Sequence, residues 1–481
     1  MKFKYILPIA AMLTFATACS SSDDEPGKEP DKPGKEEPVV GSNAEQSLSR
    51  SIELIDNAVE KYFEGDVSTM ARLYNPYTDT RLTEIGSVWM YTSSIEAVNA
   101  AMKGMKTLKD KGQSALYDAN FDRYRTLLTK LYSNLEFYKG TYTLTSYTGT
   151  NTWSVYAVNR GSGKGAANVQ GDQNVYDDQM WLIREMLESY HITGEKTYLE
   201  QAEYLASYVY DGWDCTLDSR GNEYGGITWG PSYVTKHACS NGPMVSPSVW
   251  LYEIYKDKSD EITYGYIKSD KRRATRTEKK ADYYLSMAKK IYKWQKDNLY
   301  DPGTGVYSDM MGGDDTGGRV AYETIDGVNY RRHTNLRDRV GDFWSYNSGS
   351  MLSGASDLYR VTRESSYLTD LQTLADKSFA HFAKADASRP GCYTFNITGF
   401  SNWFNGVLMR SYVEASEFYP AADAYANAFQ SNLDYSYDRH LYKHMLPPSL
   451  LVGWSREPNN NKVEAMFTFA FAAEYAILAA K

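Results

Sequence analysis

The sequence predicts an all-α protein, an (α/α)6 toroid of six helical hairpins. Three observations carry that prediction. Apolar residues recur at three- and four-residue spacing in about a dozen segments after residue 44. Strand signals between those segments are few and short. The joint between helices also recurs: Tyr190-His-Ile-Thr193-Gly-Glu-Lys-Thr197-Tyr198-Leu199 returns as Tyr359-Arg-Val-Thr362-Arg-Glu-Ser-Ser366-Tyr367-Leu368. Likewise Thr197–Leu205 reads like Tyr283–Ile291, so hairpins repeat along the chain. Helices paired in this way close naturally into a ring with an apolar inner face and a loop-built cleft at one end.

The first residues stand apart from that ring. Lys2 and Lys4 give a positive start, Ile6–Phe15 a short apolar core, and Ala16-Thr17-Ala18 small residues before Cys19. The core is too short for a spanning helix. The pattern resembles the lipobox of bacterial lipoproteins, which makes residues 1–18 a signal peptide and Cys19 the lipidated first residue. The run Ser20-Ser-Ser-Asp-Asp-Glu25 resembles the acidic tag that sends some lipoproteins to the outer face of a Gram-negative outer membrane. Residues 19–43 are rich in Pro, Gly, Lys and Glu and read as a disordered charged tether. The expected location is therefore the outer membrane, at the cell surface, with a lipid anchor as the sole membrane contact. A monomer is expected.

From residue 44 to 481 the chain reads as one domain. Leu48, Ile52, Ile55, Val59 and Tyr62 mark the first helix, and Gly65 stops it. Helices are expected at Glu84–Met105 and Asn120–Tyr138. A loop-rich stretch from Gly140 to Asn174 carries Trp153 and forms a rim. After the helix that follows it, helices are expected at Pro247–Tyr255, Ala281–Leu299, Ser348–Tyr359, Tyr367–Ala383, Phe404–Phe418, Ala421–Asn432 and Lys462–Ala480. The charged insert Lys256–Lys280 swells one joint. The last helix is apolar nearly all round (Met466, Phe467, Phe469, Phe471, Ile477, Leu478) and is expected to be buried.

Composition narrows the function. A net charge of −9 without a basic stripe argues against nucleic acid. The 42 Tyr and 10 Trp fit both helix packing and a cleft that stacks on sugar rings. Besides Cys19 there are Cys215, Cys239 and Cys392, enough for one disulfide at most, and their spacing matches no zinc pattern. No metal and no cofactor are expected.

Chemistry concentrates at Asn174-Val175-Tyr176-Asp177-Asp178-Gln179-Met180-Trp181. Met180, Ile183, Leu187 and Tyr190 continue it as a helix. Taken alone, an Asp here reads as an N-cap and a second acid as a partner of the helix dipole. Two carboxylates at a loop-to-helix junction can also lean into one cavity and act as a glycosidase pair. One attacks the anomeric carbon; the other protonates the leaving oxygen and then activates water.

The surroundings favour the pair. Val175–Trp181 resembles the Asp-Asp signature of glycoside hydrolase family 76, the α-1,6-mannanases. Four further landmarks arrive in that family's order. Tyr224-Gly225-Gly226-Ile227-Thr228-Trp229 resembles its Gly-Gly-Ile segment, and Lys236-His237-Ala238-Cys239-Ser240-Asn241-Gly242-Pro243 its Lys-Asn-Ala-x-x-Asn segment. Trp344-Ser-Tyr346-Asn347-Ser-Gly349 resembles its Tyr-Asn-x-Gly segment, and Phe404-Asn405-Gly406-Val-Leu-Met-Arg410 its Phe-Lys-Gly-x-x-x-Arg segment. His237 replaces the usual Asn, Thr228 a common aromatic and Asn405 a common Lys, which bears on subsite preference.

The resemblance implies a retaining, endo-acting mannanase with Asp177 as nucleophile and Asp178 as general acid/base, acting on α-mannan polysaccharide or oligosaccharide. Retention needs carboxyls about 5–5.5 Å apart, which neighbours at a helical turn can meet. Trp229 and Trp403 either stack on mannose or simply pack. Asn241 and Asn347 either bond hydroxyls or cap helices. Gly225-Gly226 either admits a sugar or makes a turn. Tyr176 and Trp181 are expected beside the acid, raising its pKa, and His237 and Tyr346 in the cleft. Asp314-Asp315 reads as a solvated loop. Two rivals stand beside this reading: a catalytically silent glycan-binding lipoprotein on the same scaffold, and another (α/α)6 enzyme such as an epimerase, which relies on catalytic histidines.

Overall fold

The computed structural model describes residues 43–313, 318–395 and 401–481. The expected signal peptide, Cys19, the expected tether as far as residue 42 and Asp314-Asp315 lie outside the described residues, and Asn43 already belongs to a helix. Twelve α-helices occur among the described residues: α1 Asn43–Tyr62, α2 Val88–Asp110, α3 Ala115–Leu135, α4 Tyr176–Thr193, α5 Lys196–Asp211, α6 Val245–Tyr255, α7 Lys280–Leu299, α8 Ser345–Thr362, α9 Ser365–Phe382, α10 Ser401–Ser416, α11 Ala421–His440 and α12 Ala465–Ala480. The fold is thus predominantly helical, with many small sheets in the joints.

The order of packing is cyclic. α2 packs on α4, α4 on α6, α6 on α8, α8 on α10, α10 on α12, and α12 back on α2. The odd-numbered helices form the second layer. α3 packs on α2, α5 on α4, α7 on α6, α9 on α8 and α11 on α10, while α1 lies against α12 and α2. Burial follows the same division: α4, α8 and α12 are buried over most of their surface, whereas α3 and α9 bury one stripe. That difference is the physical reason the last helix reads as apolar all round.

The repeated joint is a real structural repeat. α4 ends at Gly194 (φ 75°) and α8 at Arg363 (φ 59°), both left-handed, with cap N–H groups donating to Tyr190 and Tyr359 carbonyls. Thr193 and Thr362 hydroxyls each accept a backbone N–H 3.2 Å away, from Glu195 and Glu364. The same six-residue chemistry turns the chain twice.

Several expectations are corrected. α2 begins at Val88, not Glu84, because the Ser87 hydroxyl caps it by accepting from Met90 N. α8 begins at Ser345: its polar first turn is buried and so reads as loop in sequence. α11 runs to His440 because Leu433 and Ser436 keep one face buried past Asn432. The loop-rich stretch contains an antiparallel hairpin, Lys139–Thr145 with Thr150–Tyr156, whose outer face is a ladder of Thr141, Thr143 and Thr145 against Ser154, Thr152 and Thr150. The charged insert is another hairpin, Glu261–Ile267 with Arg273–Lys279. Its half-buried residues alternate (Ile262, Tyr264, Tyr266) with exposed Glu261, Thr263 and Gly265. Polar outer faces hide both hairpins from a search for apolar strands. Cys215, Cys239 and Cys392 are buried free thiols, with no disulfide among them.

Gly194 gives a clean test of the joint, since an added Cβ would meet nothing within 4 Å. Gly194→Ala should therefore cost about 1–2 kcal/mol through backbone conformation alone. Gly194→Asn should cost less, because Asn tolerates this region. Urea midpoints of the two variants decide it.

Candidate active site

Residues of all five motif segments come together around the start of α4: Asp177, Trp229, His237, Cys239, Tyr346 and Phe404 are linked by hydrogen bonds, ring contacts and electrostatics. The α4 N-terminus is fixed from two sides. Tyr176 N–H donates to the Trp229 carbonyl at 2.8 Å. The Gln179 amide clamps Tyr156 of the first hairpin through both N–H and C=O, at 3.0 and 2.8 Å.

Helix α4 begins at Tyr176 with Val175 as its cap residue and no side-chain cap bond. The capping reading of the acids is thereby overturned: Asp177 and Asp178 lie inside the first turn. Both titrate abnormally, in different ways. Burial raises Asp177 to about 6, and the Cys239 thiol, Trp229 indole and Asp178 backbone N–H hold it back by stabilising its charge. Trp229 Nε1 lies 3.3 Å from one oxygen and Asp178 N 3.1 Å from the other. Asp178 is 8% exposed. Burial, then the neighbouring Asp177 charge, push it well above the usual carboxylate range. Of the two, the donors around Asp177 favour its charge, whereas nothing offsets the burial and repulsion that disfavour the charge of Asp178.

Sequence reasoning missed two members of the site. Asp309 sits between short strands, where no pattern marks it. A three-stranded sheet brings it in, pairing Met310 with His237 and Val340, and the Asp309 carbonyl accepts from Ala238 N at 2.7 Å. Burial raises its carboxyl to about 6; Asn347 pulls it down, while the charges of Asp342 and Asp177 add to the rise. Cys239 was visible only as a residue inside a motif. Burial, with the Asp177 and Asp309 charges, keeps it a protonated donor.

The expected binding residues divide into three groups. Trp229, His237, Tyr346 and Asn347 do surround the acids. Trp229 is half-buried, stacks on His237 (5.0 Å, 27°) and directs its N–H at Asp177. His237 is pushed by burial down to about 4 and its Nε2 meets the Thr235 hydroxyl at 2.9 Å, so it is neutral. Tyr346 stacks on Phe404 (4.1 Å, 13°).

A second group forms the support beneath. Trp403 is a helix residue of α10, not a loop residue, and 3% exposed. It stands edge-on to Trp181 (4.8 Å) and Trp89 (5.2 Å) and donates to Glu96 at 2.9 Å, so its faces are taken. Trp181 is buried with it, and Tyr176 lies against Tyr208.

The third group builds the loop between. Gly225 and Gly226 have φ of 72° and 77°, and a Cβ on either would fall 2.8 or 2.4 Å from Trp294. Packing against Trp294 explains them. Asn241 spends its side chain on the Ile227 N–H and C=O and the His237 C=O, at 2.8, 2.9 and 2.7 Å. A fully buried ion pair, Lys236 to Asp214 at 2.8 Å, closes the same loop, and Lys236 also reaches the Gly225 carbonyl. Burial alone would raise Asp214, but Lys236 and His333 outweigh it and hold the carboxylate low. Among the described residues no cluster of three His, Cys, Asp or Glu is arranged to hold a metal ion.

The model of glycosyl hydrolase family 76 matches residues 138–263 and 272–439. No curated protein sequence matches the chain. Among solved structures, a family 76 glycoside hydrolase (mannosidase) from Bacteroides thetaiotaomicron is similar with a TM-score of 0.65 and 19% identity, covering 90% of this chain and 98% of its own. An α-1,6-mannanase from Salegentibacter sp. is similar with a TM-score of 0.58 and 19% identity, over 90% and 99%. An inactive variant of that mannanase, with two aspartates changed to asparagine and α-1,6-mannotriose bound, gives 0.57 and 18%, over 90% and 99%.

The raised carboxyls make a signed prediction. A carboxyl whose folded pKa exceeds its unfolded value contributes stability below the unfolded pKa and loses it as pH rises through the folded one. Asp178→Asn should therefore raise the Tm near neutral pH, with the gain fading toward about pH 4. Turnover should fall by about 10²–10⁴-fold. Melting curves across pH, beside initial rates, check both; a Tm lowered at every pH would mark a structural residue instead.

Proposed function

This chain belongs to glycosyl hydrolase family 76, and from that premise we propose that it hydrolyses α-1,6-mannosidic bonds of mannan, within the chain and with retention of configuration. The observation that carries this reading is the unequal environment of Asp177 and Asp178. Asp177 has donors on both oxygens, from Trp229 and the Asp178 N–H, which suit an ionised nucleophile. Asp178 has burial and a neighbouring negative charge, which suit a proton donor. The bound α-1,6-mannotriose of the Salegentibacter relative supports the choice of sugar. The cyclic order of helix packing supports reading the fold as an (α/α)6 toroid of six hairpins.

In the first step Asp177 attacks the anomeric carbon while Asp178 gives its proton to the leaving glycosidic oxygen. A mannosyl ester on Asp177 and a shortened glycan result. In the second step Asp178, now a carboxylate, takes a proton from water as that water displaces Asp177. The ester breaks, the sugar leaves with its original configuration, and both acids return to their starting states. Each half-reaction transfers the proton that the environment of Asp178 is built to keep.

Proton NMR of an early digest of linear α-1,6-mannan should show the α-anomer first, and β-linked mannan should stay intact. An initial β-anomer would remove Asp177 from the nucleophile role. A mannan-binding protein that releases no reducing ends would instead be the silent glycan-binding rival.

We also propose a surface lipoprotein, on the strength of Ala16-Thr17-Ala18-Cys19 and the acidic run after it. Cys19→Ala should abolish lipid labelling and release the protein from the outer-membrane fraction. Wild type found wholly soluble in the periplasm would refute the anchor.

A further inference from the structure

The catalytic reading uses Tyr156 of the first hairpin and leaves the rest of the two hairpins, each of two seven-residue strands, unexplained. Between them, over the end of α5 and the first half of α7, lies a cavity of about 630 Å³. That volume is within the range of roughly 300–1,000 Å³ usual for ligand sites. Neither Asp177 nor Asp178 lines it. It sits on the flank of the ring, because α5 and α7 belong to the second layer.

Its lining has a specific chemistry. Trp153 comes from the first hairpin, Tyr264 and Tyr266 from the second, and Tyr283 from α7. Among these rings stand the carboxylates of Asp211, Glu223 and Glu278. Among the described residues, the cation of the lining is Lys290, which is already paired with Glu223 at 3.0 Å. Such a surface repels phosphates and acidic sugars. It also carries too many carboxylates for a purely apolar guest. A neutral pyranose fits both halves: its C–H face lies on aromatic rings, and its hydroxyls donate to carboxylates.

The walls are held in place. Tyr264 packs on Tyr283 (4.5 Å) and donates to Glu278 at 3.0 Å. The Ser146 hydroxyl donates to Asp211 at 2.7 Å. The hairpins touch each other: a Cβ on Gly265 would lie 2.6 Å from the Thr148 hydroxyl, and Arg273 reaches the Tyr147 carbonyl at 3.1 Å. A site formed before its ligand arrives loses little ordering entropy on binding.

We propose that this flank cavity is a second, non-catalytic binding site for a neutral hexopyranose chain. Resting on the function proposed above, the chain it holds is a stretch of the same α-1,6-mannan. Holding a polymer at a second point raises its local concentration at the cleft without any change to the chemistry.

Hydrogen exchange of the full chain carrying Asp177→Asn, with and without linear α-1,6-mannohexaose, tests this. Peptides covering 148–153 and 262–266 should exchange several-fold more slowly with the glycan, as should those covering 175–181. Tyr264→Ala in the same background should erase the hairpin protection and keep that of 175–181, which also shows that the variant is folded. Protection confined to 175–181, with wild type still cleaving mannan, overturns the flank site alone. Protection nowhere, with wild type inert on mannan, overturns the catalytic reading and this inference together.

Discussion

A cyclic order of helix packing closes only if its last member packs against its first. Here α12 does so, lying between α1, α2 and α10. The contact is reinforced by polar stitches that cross almost the full length of the chain. Tyr62 donates to the Val463 carbonyl at 3.1 Å, Ser51 to that of Ala472 at 2.7 Å, and Val463 pairs with Tyr74 in a small sheet. The motif segments lie up to 233 residues apart, from Asp177 to Arg410, and the cyclic order of helix packing makes them neighbours.

Closure also creates the dry floor on which the acids depend. Trp89, Trp181, Trp403, Tyr346 and Phe404 fill the inner mouth of the ring with rings packed edge-on or face-on. Beneath them Glu96 accepts from Trp403 and forms an ion pair with Arg410, so the Trp403 indole N–H and the charge below it are both satisfied. This plug withholds water from one side of α4. Desolvation heads the causes of both raised carboxyls. The two acids then diverge for a local reason: donors reach Asp177, whereas Asp178 receives the repulsion of its neighbour.

Much of this was legible in residue spacing, and the failures have physical causes. Helix existence was readable because each inner helix must present apolar residues to two neighbours. Helix ends were misread where polar residues are buried at the cleft, as at Ser345-Tyr346-Asn347. The hairpins were missed because threonine and charged residues cover their outer faces. The acid pair was found through its place before an amphipathic run, but its capping alternative failed because Val175, one residue earlier than Tyr176, takes the cap position. Asp309 left no trace, since a sheet of three very short strands delivers it. Asn241 was seen but misjudged: its hydrogen bonds go to the backbone of Ile227 and His237, not toward the cleft.

The three departures from the family pattern can now be weighed separately. Thr228 is fully buried and donates to the Gly230 carbonyl at 2.9 Å, so it shapes a turn and presents nothing to a ligand. Asn405 accepts from Ser345 at 3.0 Å, tying α10 to α8. His237 is different, because its ring lies on Trp229, whose N–H points at Asp177. A charged imidazolium there would stabilise the Asp177 carboxylate further and lower its pKa. Burial prevents that by keeping the ring neutral down to about pH 4. His237 thus acts as a flat, uncharged brace for Trp229, and the departure at this position bears on how Asp177 is oriented rather than on how a proton is moved.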